Sequence, residues 1–146
     1  MPGRMQHVRF YAGGAGVSQW ATGSGGAGLL GMQWYNDLFP IIQWYTGVEL
    51  VGVGVGTGFL GVVDGDLGAR LTPFPDWLLR PYVRANLGLS LVIIVPVPSV
   101  GLALGVTLPI FNTIFLDFAL GVRRVYYVFD TSKSLDLQLM ELSIGF

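Results

Sequence analysis

The sequence lacks cysteine altogether, and it contains one histidine and few charged residues. Without cysteine the chain can form neither a disulfide nor a thiolate metal site, and His7 alone cannot build a histidine metal site. Charged residues make up 12% of the chain, against roughly 25% in ordinary soluble domains. So low a share does not suit a surface that faces water on all sides. We therefore expect no metal and no cofactor, and the composition favours a membrane protein.

Two further absences concern partners and export. The formal net charge is −1, so the chain offers no excess of positive charge to a nucleic acid, and we expect no nucleic-acid partner. The first residues, Met1 to Arg4, are not followed by the apolar core of a signal peptide. An exported barrel needs such a signal, and we expect that it has been removed.

What the sequence does contain is a repeated alternation of apolar and polar residues. In the segment FLGVVDGDLGARL, residues 59–71, one set of alternate positions is apolar or glycine and the other carries Asp64, Asp66 and Arg70. Successive strand residues point to opposite faces, so one face is apolar and the other is charged. The chain also has 22 glycines and a mean hydropathy of +0.60. An apolar outside around a polar inside is typical of a transmembrane β-barrel.

Eight alternating segments can be drawn along the chain: 7–17, 26–35, 41–53, 59–72, 80–94, 100–108, 113–127 and 135–146. A strand needs about 9–11 residues to cross a bilayer, and these segments have that length. Lipid does not tolerate an open sheet edge, so the strands must close on themselves. We predict an all-β fold: a closed, antiparallel, up-and-down transmembrane barrel of eight strands that forms a single domain over residues 1–146.

The predicted connections fall into two alternating sets. Proline and aromatic residues mark 36–40, 73–77 and 109–112, which we place on the periplasmic side with both termini. Glycine, serine and proline mark 18–25, 54–58, 96–99 and 130–133 on the other side. Aromatic rings favour the two membrane interfaces. We predict one belt near the termini (Phe10, Trp34, Tyr35, Phe39, Trp44, Tyr45, Phe74, Trp77, Tyr82, Phe111 and Phe146) and a second at the far rim (Trp20, Phe59, Tyr126, Tyr127 and Phe129).

A helical membrane protein is the competing interpretation. No charge appears between Arg84 and Asp117, and a hydropathy window would predict a membrane-spanning helix there. Pro96 and Pro98 interrupt this stretch, and its many valines and isoleucines favour strands. We therefore expect strands rather than a helical hairpin.

Two motifs resemble a known family. The last segment places Met140, Leu142, Ile144 and Phe146 on one face, and this alternation ending on phenylalanine resembles the terminal assembly signal of bacterial outer-membrane barrels. The segment LRPYVRANLG, residues 79–88, resembles the R-P-Y-V-x-A-x-x-G strand opening of small barrels of the OmpA/OmpW type. The resemblance is to the barrel alone, without a periplasmic domain or long outer loops. It implies a place in the bacterial outer membrane, insertion by the outer-membrane assembly machinery, and Phe146 as the assembly signal.

With the apolar face outward, nine charged residues point into the barrel. Charges in such an interior must pair or stay hydrated. The favoured interpretation is a network of salt bridges that plugs the lumen, and the alternative is a narrow pore for small solutes. The predicted lumen charge network consists of Arg9, Glu49, Asp64, Asp66, Arg70, Arg84, Asp117, Arg123 and Glu141.

The predicted role is non-enzymatic, with no catalytic residue. We expect a structural or assembly-forming envelope protein in contact with membrane lipid. The barrel has room for a lipid or a small apolar ligand only if the large side chains near Val51, Val53 and Val92 leave a pocket. A lipid-modifying outer-membrane enzyme remains an alternative, although His7 and the isolated serines form no recognisable catalytic motif.

A strip of small residues would face the lipid on the first two strands: Ala12, Gly14, Gly16, Gly26 and Gly28. Small residues allow two membrane proteins to approach closely. We predict a self-association face and a homo-oligomer, with the tolerance of twisted strands for glycine as the alternative explanation.

Overall fold

The structure is a computed structural model that describes residues 5–19, 23–55, 58–92, 95–111, 113–126 and 134–146. Within these ranges it contains eight strands. They are β1 (Val8–Gln19), β2 (Gly23–Phe39), β3 (Ile42–Val55), β4 (Gly58–Leu71), β5 (Arg80–Val92), β6 (Val95–Pro109), β7 (Phe115–Tyr126) and β8 (Ser134–Gly145).

The eight strands close into one antiparallel barrel. Each strand pairs with its neighbours in sequence, and β1 pairs with β8 from Arg9↔Gly145 to Ser18↔Asp136. Over the described residues the sheet therefore has no open edge, as a strand in lipid requires. The predicted fold class is confirmed. The helical alternative is wrong because β5 and β6 occupy its stretch, and no helix within the described ranges is long and apolar enough to span a membrane.

Burial alternates along the strands with the inverted polarity of a membrane barrel. On β7, Asp117 and Arg123 are buried, whereas Leu116 and Leu120 are exposed. Leu104 on β6 is 62% exposed. The outer wall is therefore apolar and the charged side chains lie in the lumen. This arrangement suits a barrel whose outer wall contacts lipid.

Most strand boundaries lie within three residues of the prediction, and two differ by more. β2 runs to Phe39 through the predicted connection 36–40, so the turn is shortened to Pro40 and Ile41. β6 begins at Val95 and includes Pro96 and Pro98, where a turn was predicted. In the described register these two prolines pair with β5 alone, since the β6–β7 pairing begins at Ser99. A strand tolerates proline where one side needs no backbone N–H donor.

Part of the predicted aromatic belt near the termini is wrong. Tyr35, Tyr45 and Tyr82 are buried inside the barrel, and Tyr45 is 0% exposed. They have the same strand parity as the buried Gln33, Glu49 and Arg84, so alternation assigns them to the lumen. Trp34 and Trp44 are exposed on the outer wall, as predicted. At the far rim Tyr126 is exposed, whereas Trp20, Tyr127 and Phe129 lie outside the described residues.

The buried tyrosines explain several glycines that point into the lumen. Tyr45 is the register partner of Gly68, and Tyr82 is the register partner of Gly105. A side chain on either glycine would collide with the tyrosine ring beside it. Each ring thus covers a glycine on the next strand, which protects that backbone and fixes the ring.

Candidate functional site

The candidate site is the lumen, where the structure places all nine predicted charged side chains on the inner face. Eight of them are buried, and Asp66 is half-buried. They form two groups along the barrel axis. We call the group nearer the termini the inner cluster (Arg9, Arg70, Arg84, Asp117 and Glu141) and the other the outer cluster (Glu49, Asp64, Asp66 and Arg123).

Glu141 holds two arginines of the inner cluster together. Its Oε2 accepts hydrogen bonds from Arg9 Nη2 at 3.0 Å and from Arg84 Nη2 at 2.7 Å. Arg84 lies on β5 and Glu141 on β8, so this contact crosses the lumen. Charge-assisted hydrogen bonds of this kind are about twice as strong as neutral ones.

Asp117 is the second centre of the inner cluster. Its Oδ2 lies 3.3 Å from Arg70 Nη1 and 3.5 Å from Arg9 Nε. Gln6 donates to the same oxygen at 2.8 Å, and the Thr107 hydroxyl donates to Oδ1 at 2.9 Å. Both carboxylate oxygens therefore have partners, which is what makes a buried charge tolerable.

Neutral residues complete the inner cluster. Gln33 Oε1 accepts from Arg9 Nη1 at 2.8 Å and from the Tyr35 hydroxyl at 2.7 Å. The Arg70 guanidinium carbon lies 3.9 Å from the centre of the Tyr82 ring, at cation–π distance. Gln33 was not among the residues predicted from the sequence, although its strand parity marks it as inward. Gln6 was not predicted either, because it precedes β1 and has no alternation to reveal it.

In the outer cluster a single arginine crosses the lumen. Arg123 on β7 contacts Glu49 on β3, with Nη1–Oε1 at 2.5 Å and Nη2–Oε2 at 3.3 Å. Arg123 Nη1 also lies 3.1 Å from Asp64 Oδ2. The Tyr11 hydroxyl donates to Glu49 Oε2 at 2.5 Å. Strands β3 and β7 lie on opposite sides of an eight-stranded barrel, so this pair bridges its full width.

The carboxylates of the outer cluster are less completely paired than those of the inner cluster, although Arg70 Nε in the inner cluster and Arg123 Nε in the outer one both lack a partner among the described residues. Asp66 Oδ2 has only weak donors, Asn86 Nδ2 at 3.3 Å and Gln33 Nε2 at 3.5 Å. Among the residues that the structure describes, Asp64 Oδ1 and Asp66 Oδ1 have no hydrogen-bond partner. Buried acceptors without partners carry a desolvation cost.

Beyond the outer cluster the lumen becomes apolar. Leu29, Val51, Leu137 and Leu139 are buried and pack together with the ring of Tyr11. Val51, which the sequence predicted to lie beside a possible ligand pocket, therefore packs against other side chains. The side chains of Val53 and Val92 lie outside the described residues. Polar and apolar layers follow one another along the described lumen.

His7 and Ser143, one of the isolated serines, lie in different surroundings and are not in contact with each other. His7 is exposed at the mouth near the termini, with Nε2 3.9 Å from Asp37 Oδ2 and Nδ1 3.4 Å from the carbonyl oxygen of Tyr35. Ser143 lies in the lumen, where its hydroxyl accepts from Arg9 Nε at 2.7 Å. Across the described ranges, no three histidine, aspartate or glutamate residues are grouped as a metal site would require.

The strip of small residues lies on the outer wall. Ala12, Gly14, Gly16 and Gly28 are exposed, and Gly26 faces Gly16 across the β1–β2 pair. An added side chain at Gly16 or Gly28 would meet nothing within 4 Å. Around Ala12 the wall is recessed, with a volume of about 760 Å³ lined by apolar side chains that include Phe10, Leu30 and Leu142. Self-association through this strip stays a prediction.

Phe146 follows β8 beside the start of β1. Its backbone N–H donates to the carbonyl of Val8 at 2.8 Å, and its own carbonyl accepts from the N–H of His7 at 2.7 Å. The side chain is 47% exposed, and its ring makes an edge contact with Phe10 at 6.5 Å between centroids. The backbone of Phe146 therefore helps to close the barrel, while its ring remains accessible.

Known proteins share this architecture at low sequence identity. No protein-family model matches the chain, and no curated protein matches it in sequence. The crystal structure of Neisserial surface protein A matches with a TM-score of 0.69 and 12% identity, covering 96% of each chain. Ail, the attachment invasion locus protein of Yersinia pestis, matches with a TM-score of 0.52 and 11% identity, covering 97% of this chain and 98% of that one.

A structure from the de novo design of transmembrane β-barrels also matches, with a TM-score of 0.51 and 16% identity over 100% of this chain and 98% of the designed one. At these identities the likeness concerns the fold alone, and the finer resemblance to the OmpA/OmpW type stays a prediction. The chain has the fold of a closed, eight-stranded transmembrane β-barrel.

Proposed function

We propose that this chain is a non-conducting, non-enzymatic barrel of the bacterial outer membrane with a structural role in the envelope. The observation that carries the proposal is the pairing of charges across the lumen. Arg84 reaches Glu141, and Arg123 reaches Glu49, from strands on different sides of the barrel. Side chains joined in this way occupy the cross-section that a solute would need.

Three successive layers of side chains along the lumen support the proposal that the barrel is closed to ions. A permeating ion would have to break the inner cluster, then the outer cluster, and then cross the layer of Leu29, Val51, Leu137 and Leu139. Leaving one member of a buried ion pair alone is strongly unfavourable. A packed apolar layer adds a further barrier for any ion.

Conductance in planar lipid bilayers tests this proposal. We expect the wild type to show no steady current. Arg84→Ala removes a bridge to Glu141, so this variant should either leak or unfold at lower denaturant. Leu104→Ala, on the lipid-facing wall, is the matched control and should stay closed. Large, stable, ion-selective channels in the wild type would overturn the proposal and favour the narrow pore.

A barrel of the outer membrane needs the assembly machinery for insertion, so this machinery is a proposed partner of the chain. We propose that it recognises Phe146. The exposed ring at the end of β8 supports this role. Deleting Phe146 should impair assembly in cells far more than refolding in detergent. Equal losses in both assays would mean that Phe146 contributes only to packing.

Self-association is the remaining part of the proposed role. The strip around Gly14 and Gly28 would let a second copy approach closely, with dispersion contacts and released lipid as the driving force. The double variant Gly14→Leu with Gly28→Leu should be a folded monomer where the wild type is oligomeric, as measured by native mass spectrometry. A wild type that is monomeric in both mild detergent and native membranes would contradict this part.

A further inference from the structure

The outer wall carries an exposed cation near the far rim. Arg124 on β7 has the same strand parity as the exposed Leu120 and Val122, so its side chain faces outward. Among the outward strand positions whose side chains the structure describes, Arg124 is the charged one. An arginine that faces lipid costs little only near the interfaces, and the exposed Tyr126, at the next outward position, is of the type that marks an interface. Arg124 therefore lies at the depth of lipid headgroups.

A recess in the wall lies beside Arg124, where β6, β7 and β8 run next to one another. Its volume is about 490 Å³, within the range of roughly 300–1,000 Å³ that is usual for small-molecule pockets. Its outward lining residues are Val100, Leu102, Val122, Arg124, Tyr126 and Gln138. Val122 is the register partner of Leu102, and both are about half exposed. The recess thus has a polar end toward the rim and an apolar end toward the middle of the membrane.

Gln138 places a second polar group in this recess. Its side chain is exposed on the outer wall, and its register partners are Val122 on β7 and Gly16 on β1. Neither partner has a side chain that can form a hydrogen bond with the Gln138 amide. Hydrocarbon offers no partner either, and an unpaired amide there is costly. A polar headgroup in the recess would supply the missing partner.

We propose that this recess binds one membrane lipid whose headgroup carries a phosphate. The phosphate lies at Arg124, because a guanidinium donates two parallel hydrogen bonds to phosphate oxygens. The Tyr126 hydroxyl and the Gln138 amide are further donors to the headgroup. An acyl chain of the same lipid lies along Val122 and Leu102, where apolar side chains match hydrocarbon.

Asp136 gives the proposal a signed test. It is the register partner of Arg124 on β8, and a carboxylate beside an arginine competes with a phosphate for the same donors. The guanidinium has enough N–H groups to serve both, so the carboxylate weakens the site without abolishing it. Asp136→Asn should therefore tighten lipid binding, whereas Arg124→Gln should weaken it.

Native mass spectrometry of the refolded barrel in detergent measures this binding. The two probes are phosphatidylglycerol and a diacylglycerol with the same acyl chains, which differs by lacking the phosphate headgroup. We expect one phosphatidylglycerol to be retained per chain at concentrations where diacylglycerol is not. Arg124→Gln should weaken the binding about fivefold or more, and Arg124→Lys should weaken it less. Arg80→Gln is the matched control, since it removes the same charge at the opposite end of the barrel and should leave binding unchanged.

A second pair of variants tests the apolar end of the recess. Val122→Trp fills the space for the acyl chain and should abolish the retention of phosphatidylglycerol. Leu87→Trp adds the same bulk to an exposed position on β5 outside the recess and should keep it. Both changes face lipid, so neither disturbs the luminal clusters.

Four results would overturn the proposal. Equal retention of the two probes, or unchanged binding in Arg124→Gln, would remove the phosphate from the site. Displacement of phosphatidylglycerol by equal concentrations of inorganic phosphate would show an ion site without a role for the acyl chain. A wild type that retains no lipid, but whose oligomeric state changes in Val122→Trp, would make the recess an interface between two copies. The conductance experiment does not bear on any of these results, because the recess lies outside the lumen.

Discussion

The inner and outer clusters both bury charged side chains, but they differ in how those charges are compensated. In the inner cluster each carboxylate has at least two cationic neighbours, and Asp117 has partners on both oxygens. In the outer cluster one arginine serves Glu49 and Asp64, while Asp66 has only amide donors. The difference teaches that burial alone does not show how firmly a charged residue contributes to stability. The number and quality of its partners decide that contribution.

The largest expected effect concerns the centre of the inner cluster. Glu141→Ala leaves Arg9 and Arg84 buried without their shared carboxylate, which should lower the free energy of unfolding by about 3–5 kcal/mol. Urea unfolding in lipid vesicles measures this loss. Glu141→Gln keeps the volume and one acceptor, so its loss should be smaller. Equal stability of Glu141→Ala and the wild type would show that the inner cluster is hydrated rather than buried.

The next prediction weakens the other centre of the inner cluster. Asp117→Asn removes the charge that Arg70 and Arg9 face, while keeping the shape of the side chain. A hydrogen bond to a charged group contributes about 1.5–3 kcal/mol, and we expect a destabilisation of that order in the same unfolding assay. A change in the free energy of unfolding below the error of the assay would mean that the charge of Asp117 is no better paired than the charges of the outer cluster.

A third prediction compares glycines on β6 that face the lumen at the two levels. A methyl group at Gly105 would collide with the Tyr82 ring, which is buried and has the Arg70 guanidinium 3.9 Å from its centre. Gly105→Ala should therefore cost about 1–3 kcal/mol, as overpacking usually does. At Gly101 a methyl group meets the amide of Asn86, which can rotate away. Gly101→Ala should cost less, and a reversed order would mean that the outer cluster is the more tightly packed one.

The sequence predicted the fold and the inward set of charges because both follow from alternation along a strand. It placed Tyr45 and Tyr82 wrongly because aromatic character was given more weight than strand parity. It did not predict partners such as Arg123 and Glu49, whose contact depends on how the strands stagger when the barrel closes. That stagger is a property of all eight strands together, and a single segment does not reveal it.

The smallest expected effect is at Asp66, which is the counterpart of Asp117 in the outer cluster. Within the described part of the chain its Oδ1 has no hydrogen-bond partner and its Oδ2 has only amide donors, so its charge receives little direct compensation. Asp66→Asn removes that charge without changing the volume. We expect the free energy of unfolding to stay the same or to rise by up to about 1 kcal/mol, since the cost of burying an uncompensated charge is relieved.

The comparison with Asp117→Asn is direct, because both variants make the same chemical change in the same lumen. Urea unfolding of both proteins in the same vesicles should give opposite signs, or at least a clear difference. A loss at Asp66 as large as the loss at Asp117 would mean that Asp66 has a strong cationic partner, and the two clusters would then be equally well paired.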